Sequence, residues 1–130
     1  MEELWSLKAT DNINQMLRIR ENLKVEDLGE FENLLVVKHQ YHVADDIMFP
    51  DPACLAFFRA FEENHLMSLE EDSFRLMAID IFEGAYRFYI YCKEPEKTVY
   101  DCIGFLKSNP LYKCEFEIIK EDKFKTFNSL

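Results

Sequence analysis

The sequence predicts an α+β fold in one domain, and three patterns carry that expectation. Several short stretches alternate apolar with polar residues, as half-buried strands do. Two longer stretches space their apolar residues three and four apart, as helices do. Two strand patterns, Phe74 to Phe82 and Tyr86 to Cys92, are separated only by Glu83-Gly84-Ala85. So short a glycine-containing connection calls for a hairpin, and therefore for antiparallel pairing. A chain of 130 residues fits a single domain. A domain that long buries roughly two-thirds of the surface its unfolded chain exposes, so it needs no disulfide or metal staple.

Leu4 to Lys8 reads as a short strand. Ile13 to Arg20 is its return, with Leu17 and Ile19 alternating against Arg18 and Arg20. Thr10-Asp11-Asn12 supplies turn chemistry between them. Glu21 to Glu32 reads as a polar connection containing Gly29. Leu34 to Val43 is rich in β-branched and aromatic residues, which suit a pleated surface. Leu35, Val37, His39, Tyr41 and Val43 share one face of it, and Leu34, Val36, Lys38, Gln40 and His42 the other. Asp51 then stands as an N-cap, with Pro52 at the first helical position, where its missing N–H costs little. That helix is expected to reach about Leu66. It carries Cys54, Phe57, Phe58, Phe61 and His65 on one stripe and turns Glu62 and Glu63 toward solvent.

In the hairpin that follows, Met77, Ile79 and Ile81 are expected on one face, and Arg87, Tyr89 and Tyr91 share a face of its second strand. A second helix runs from about Glu96 to Lys107, with Val99, Cys102, Ile103 and Leu106 on one side, until Asn109-Pro110 stops it. In the last strand Tyr112, Cys114, Phe116 and Ile118 alternate with Lys113, Glu115 and Glu117. The tail is polar apart from Phe124, Phe127 and Leu130. With the first hairpin set aside, the order is β-α-β-β-α-β, the ferredoxin-like pattern, a two-layer sandwich with both helices on one face of the sheet. The expected divisions are an N-terminal β-hairpin over 1–20, a ferredoxin-like core over 33–120 and a tail over 121–130. The second sheet face needs a cover, a partner or tolerance of water.

Net charge is −10, which disfavours nucleic acid and anionic membranes as partners, because both are held by Lys and Arg. A basic protein is the more natural partner. The charge is uneven. From 45 to 72 stand eight acids, Asp45, Asp46, Asp51, Glu62, Glu63, Glu70, Glu71 and Asp72, against one base, Arg59. That segment alone accounts for −7, and its plain alternative is a solvated helix face with its loops. Cys54, Cys92, Cys102 and Cys114 include no C-x-x-C pair. The first residues, Met-Glu-Glu-Leu-Trp, lack the basic and apolar regions of a secretory signal, so a cytoplasmic protein with free thiols is expected.

No catalytic residue, metal ligand or cofactor site is expected. Nucleophile elbows, P-loops, dinucleotide fingerprints and H-E-x-x-H are all missing. His39 and His42 fall on opposite strand faces and cannot share a metal. Glu62-x-x-His65 has the spacing of one half of a di-iron site, but its second half is lacking. His65 is the kind of residue that packs at a helix end. Arg87, Tyr89 and Tyr91 could stack RNA bases, yet basic surroundings and the RNA-recognition signature are missing.

Several motifs bear a family likeness. They are Leu17-Arg18-Ile19-Arg20-Glu21-Asn22, the passage into the first helix at Pro50, Gly84-Ala85-Tyr86-Arg87-Phe88-Tyr89-Ile90-Tyr91, and Glu121-Asp122-Lys123-Phe124. With them the chain resembles a bacterial family known as a domain of unknown function, numbered 695. That resemblance implies structural motifs and no catalytic residues; the family's usual Trp after the last Asp is Phe124 here. The element order is also similar to that of small acidic inhibitors of ribonuclease E. By type alone the chain is similar to bacterial immunity proteins.

The function expected is therefore non-catalytic: an immunity protein that neutralises a basic, nuclease-type toxin through the acids of residues 45–72, with Phe49 and Tyr41 as apolar anchors. Two alternatives stand beside it. One is a small-ligand-binding or enzymatic domain, which requires a concave pocket and a perturbed titratable group. The other is a regulatory subunit that dimerises through the second sheet face, so monomer and homodimer both remain open.

Overall fold

The structure, a computed structural model, describes residues 5–8, 10, 15–21, 23–24, 26, 28–41, 50–69, 73–82 and 84–130. Strands β1 (Trp5–Lys8), β2 (Met16–Arg20), β3 (Asn33–Gln40), β4 (Phe74–Phe82), β5 (Ala85–Cys92) and β6 (Cys114–Ile119) join in one antiparallel sheet. Across the sheet their order is β1-β2-β4-β5-β3-β6. Helices are α1 (Pro52–Ala60), α2 (Met67–Leu69), α3 (Pro95–Leu106) and α4 (Lys125–Ser129), and a π-helical segment, Phe61–Leu66, joins α1 to α2. None of the described helices is long and apolar enough to cross a membrane.

The helix start is built as its sequence dictates. Asp51 accepts a hydrogen bond from the Cys54 amide at 2.9 Å, and Pro52 opens α1. Such a cap contributes about 1 kcal/mol. α1 and α3 bury Cys54, Phe58, Cys102 and Leu106 against Leu35, Val37, Ile79, Phe88 and Ile90 of the sheet. Phe58 is the hub of this layer, with ring centroids of His39, Tyr86 and Phe57 4.9 to 5.1 Å away. The first hairpin pairs through β2 with β4 and widens the sheet, with Leu17 opposite Asp80 and Arg18 opposite Ile79.

β4 departs from simple alternation. A bulge between Leu76 and Ala78 makes Met77 the extra residue. Before it Phe74 and Leu76 face the helices; after it Ile79 and Ile81 do. Met77 joins the opposite face, which corrects the expectation that it sides with Ile79 and Ile81. A bulge shifts alternation by one residue, and nothing local in an apolar run announces it.

The second face has its own core. Leu34, Met77 and Tyr91 are covered by Leu28 and Phe31 from the connection after β2 and by Phe124 from the tail. Tyr91 and Phe124 stack with centroids 4.1 Å apart. The Lys123 amide donates to the Glu32 carbonyl at 2.9 Å, tying the tail to that connection. Both segments read as polar in sequence, yet together they roof part of the sheet.

Candidate functional site

The acids expected to form one surface are not gathered into one. Asp45, Asp46, Glu70, Glu71 and Asp72 lie outside the described residues. Asp51 is exposed, with its carboxylate used as the helix cap. Glu63 is exposed and pairs with Arg59 at 2.8 Å, one helical turn away, which raises the guanidinium's pKa further. Glu62 is only 2% exposed. Arg18 clasps it in two bonds, Nη1 to Oε1 at 2.7 Å and Nη2 to Oε2 at 2.9 Å. Trp5 lies against the same guanidinium at 4.8 Å.

Glu62 is therefore an internal group and not part of a docking surface, against its expected solvent-facing position. Two causes lie outside the helix's own pattern. Beyond Ala60 the bonds become i to i+5, as in Met67 N–H to the Glu62 carbonyl, and this turns side chains away from α-helical spacing. In addition, β2 extends the sheet beyond β4 and brings Arg18 to the helix's flank. Tyr41, expected as an anchor, is 7% exposed and belongs to the core. Phe49 lies outside the described residues.

A polar groove on the described surface is one that sequence reasoning missed. Strand register lines up Leu17, Asp80, Arg87, Lys38 and Glu115 across five strands. Directly paired residues share a face, so the row runs over the second face, beside the covered half. Val36, Lys38, Arg87, Glu115, Phe116 and Glu117 line a groove of about 440 Å3 there. Asp80 Oδ2 lies 3.7 Å from Arg87 Nη1, and Lys38 Nζ 3.6 Å from Glu115. Gln15 Nε2 donates to Asp80 Oδ1 at 2.9 Å.

Burial pushes the Asp80 carboxyl up, against the opposing pulls of Gln15 and Arg87. Burial likewise raises the neighbouring Tyr89 phenol, and Asp80 adds to it. Two cations flanked by carboxylates in an open groove can orient a polar ligand through charge-assisted hydrogen bonds. The available signal was Asp80 itself, one acid inside the apolar run Leu76 to Phe82.

The thiols and the two described imidazoles, His39 and His65, are committed to structure, while His42 lies outside the described residues. All four cysteines are free. Burial pushes Cys54 and Cys92 up to about 11, and Cys102 and Cys114 up to about 12, so all are protonated at neutral pH. His39 Nδ1 donates to the Lys113 carbonyl at 2.8 Å, and His65 Nε2 to the Asp101 carbonyl at 2.7 Å. His65 also packs on Phe61 and Phe105, as its place on the apolar stripe implied. Glu62 and His65 thus serve different partners. Among the described residues no three His, Cys, Asp or Glu side chains are placed to hold a metal ion.

Comparison with known proteins gives one match. The model of a family described as "Family of unknown function (DUF695)" matches residues 4–130. Nothing among curated proteins, and nothing among solved structures, matches the chain. The match spans nearly the whole sequence and includes the quoted motifs, and so the chain belongs to the DUF695 family.

Proposed function

We propose that the protein works by binding a basic protein partner rather than by catalysis, in the way bacterial immunity proteins neutralise nuclease toxins. One observation carries this reading. Among the described residues three acids are buried, Glu62, Asp80 and Asp122, and each is engaged internally. Glu62 meets Arg18, Asp80 meets Gln15 and Arg87, and Asp122 meets Tyr91 and Thr126. These three are used internally, and the net charge of −10, densest in residues 45–72, is what would steer a basic partner into contact. Glu63 with Asp45, Asp46, Glu70, Glu71 and Asp72 forms the proposed docking set; Glu62, which is buried, and Asp51, whose carboxylate caps α1, leave it.

Stopped-flow mixing with a basic nuclease tests the proposal. Association is expected to slow steeply as salt rises, and more so when Glu63, Glu70 and Glu71 are changed to Lys. A rate indifferent to salt defeats it. The four unpaired thiols support action in the reducing cytoplasm. The order β4-β5-β3-β6, with α1 and α3 in the connections, supports reading residues 33–119 as a ferredoxin-like core.

The groove at Lys38 and Arg87 favours a second reading, a small-ligand or enzymatic domain, because it joins a concavity to a perturbed carboxyl, Asp80. Amide shifts at Lys38, Asp80 and Arg87 on titration with small zwitterions or dicarboxylates are its signature. Unmoved amides across such a panel would remove it.

A further inference from the structure

The outer edge of β6 is unpaired among the described residues. Main-chain N–H and C=O groups along such an edge are a template for another strand. The two sides of this edge differ in chemistry. Toward the helices a largely apolar groove of about 350 Å3 is lined by Ile103, Leu106, Pro110, Tyr112 and Phe116, together with Lys107 and Lys113. Toward the second face stand Glu115 and Glu117, both exposed. Ile103 in the groove and Leu111 beside Cys114 and Glu115 remain 42% and 81% exposed.

We propose that β6 is the docking edge for an extended segment of a basic protein, one in which Lys or Arg alternates with apolar residues. This deepens the basic-partner reading and rests on it. Main-chain bonds hold the added strand, its apolar side chains enter the groove beside α3, and its basic side chains meet Glu115 and Glu117. Charge decides the occupant. A second copy pairing antiparallel about Phe116 sets Glu115 of one chain opposite Glu117 of the other, which repels. In this full-overlap register the glutamates oppose self-pairing, and they admit a cationic strand.

The test is a titration of the isotope-labelled protein, read by amide shifts and hydrogen exchange. The probes are a short peptide alternating Val and Lys, a Val–Glu counterpart, and a peptide with the same Val and Lys in two blocks. The alternating Val–Lys peptide is expected to shift and protect β6 amides; the Val–Glu peptide is expected not to, and the blocked one to bind more weakly. Glu117→Lys, at an exposed site, should weaken the Val–Lys peptide by about 5-fold and favour the Val–Glu one. Equal affinity of the variant for both peptides overturns the proposal. So does dimerisation through β6 in sedimentation. Shifts confined to residues 45–72 overturn the edge but leave the basic-partner reading standing. Absence of any salt-dependent binding to cationic chains overturns both.

Discussion

On the sheet face turned away from α1 and α3, the half around Leu34, Met77 and Tyr91 is roofed by Phe31 and Phe124, whereas the half around Lys38, Asp80 and Arg87 is an open groove. Each half holds one buried carboxyl, and the two titrate in opposite directions. Burial pushes Asp122 up, but hydrogen bonds outweigh it: Thr126 donates through its hydroxyl at 2.6 Å and its amide at 3.1 Å, and Tyr91 Oη at 2.5 Å. Its carboxyl ends below the usual range. Asp80 has one close donor, Gln15, and a guanidinium at 3.7 Å, and burial wins. Fewer donors and deeper burial both set Asp80 apart from Asp122. The covered half thus satisfies its buried carboxylate, and the open half leaves its own destabilised.

The largest expected effect strikes the roof. Phe124→Ala, which uncovers Tyr91, is expected to cost about 4 kcal/mol in urea denaturation. A cost under about 1 kcal/mol would mean that the tail does not close the second core. Asp122→Ala comes next, at about 2 kcal/mol, because it strands the Tyr91 hydroxyl and the Thr126 amide.

Stability against pH then sharpens the contrast between the carboxyls. The folded-state pKa of Asp122 is lowered, so its contribution is present above the unfolded value of about 3.9 and is lost as acid passes through the folded value. The folded-state pKa of Asp80 is raised, so its contribution is full below about 3.9 and is lost as pH rises through the folded value. Asp80→Asn should therefore raise the urea midpoint at neutral pH and remove that loss, and a lower midpoint would refute the assignment. The smallest effect belongs to the groove rim. Lys38→Met and Glu115→Gln should each change stability by no more than about 0.5 kcal/mol, since exposed pairs contribute little.

Legibility in the sequence followed the range of the interactions. β3, β5, α3 and β6 fall close to the ranges read from period and punctuation, because each rests on its own alternation, helical spacing or Asn-Pro stop. Asp51 caps α1 as its local chemistry demands. Met77 and Glu62 went astray for the opposite reason. One depends on a bulge against β5, the other on a π-helical turn and on Arg18 from a strand 44 residues earlier. The row Asp80, Arg87 and Lys38 exists only once three strands are aligned, so no single stretch of sequence displays it. The roof escaped notice because Leu28, Phe31 and Phe124 stand singly among polar residues, without periodicity.

Phe124 sits in a left-handed backbone conformation, φ 65°, flanked by Lys123 at φ 49°. Such a bend in non-glycine residues costs of order 1 kcal/mol at each position and persists only where packing holds it. Its ring is also the last of the second core to be synthesised, after all six strands. Until the tail emerges, a nascent chain has only Leu28 and Phe31 to cover Leu34, Met77 and Tyr91. The turn at Lys123 and Phe124 thus closes the second core late in synthesis, and a chain halted short of it would leave part of an apolar sheet face open.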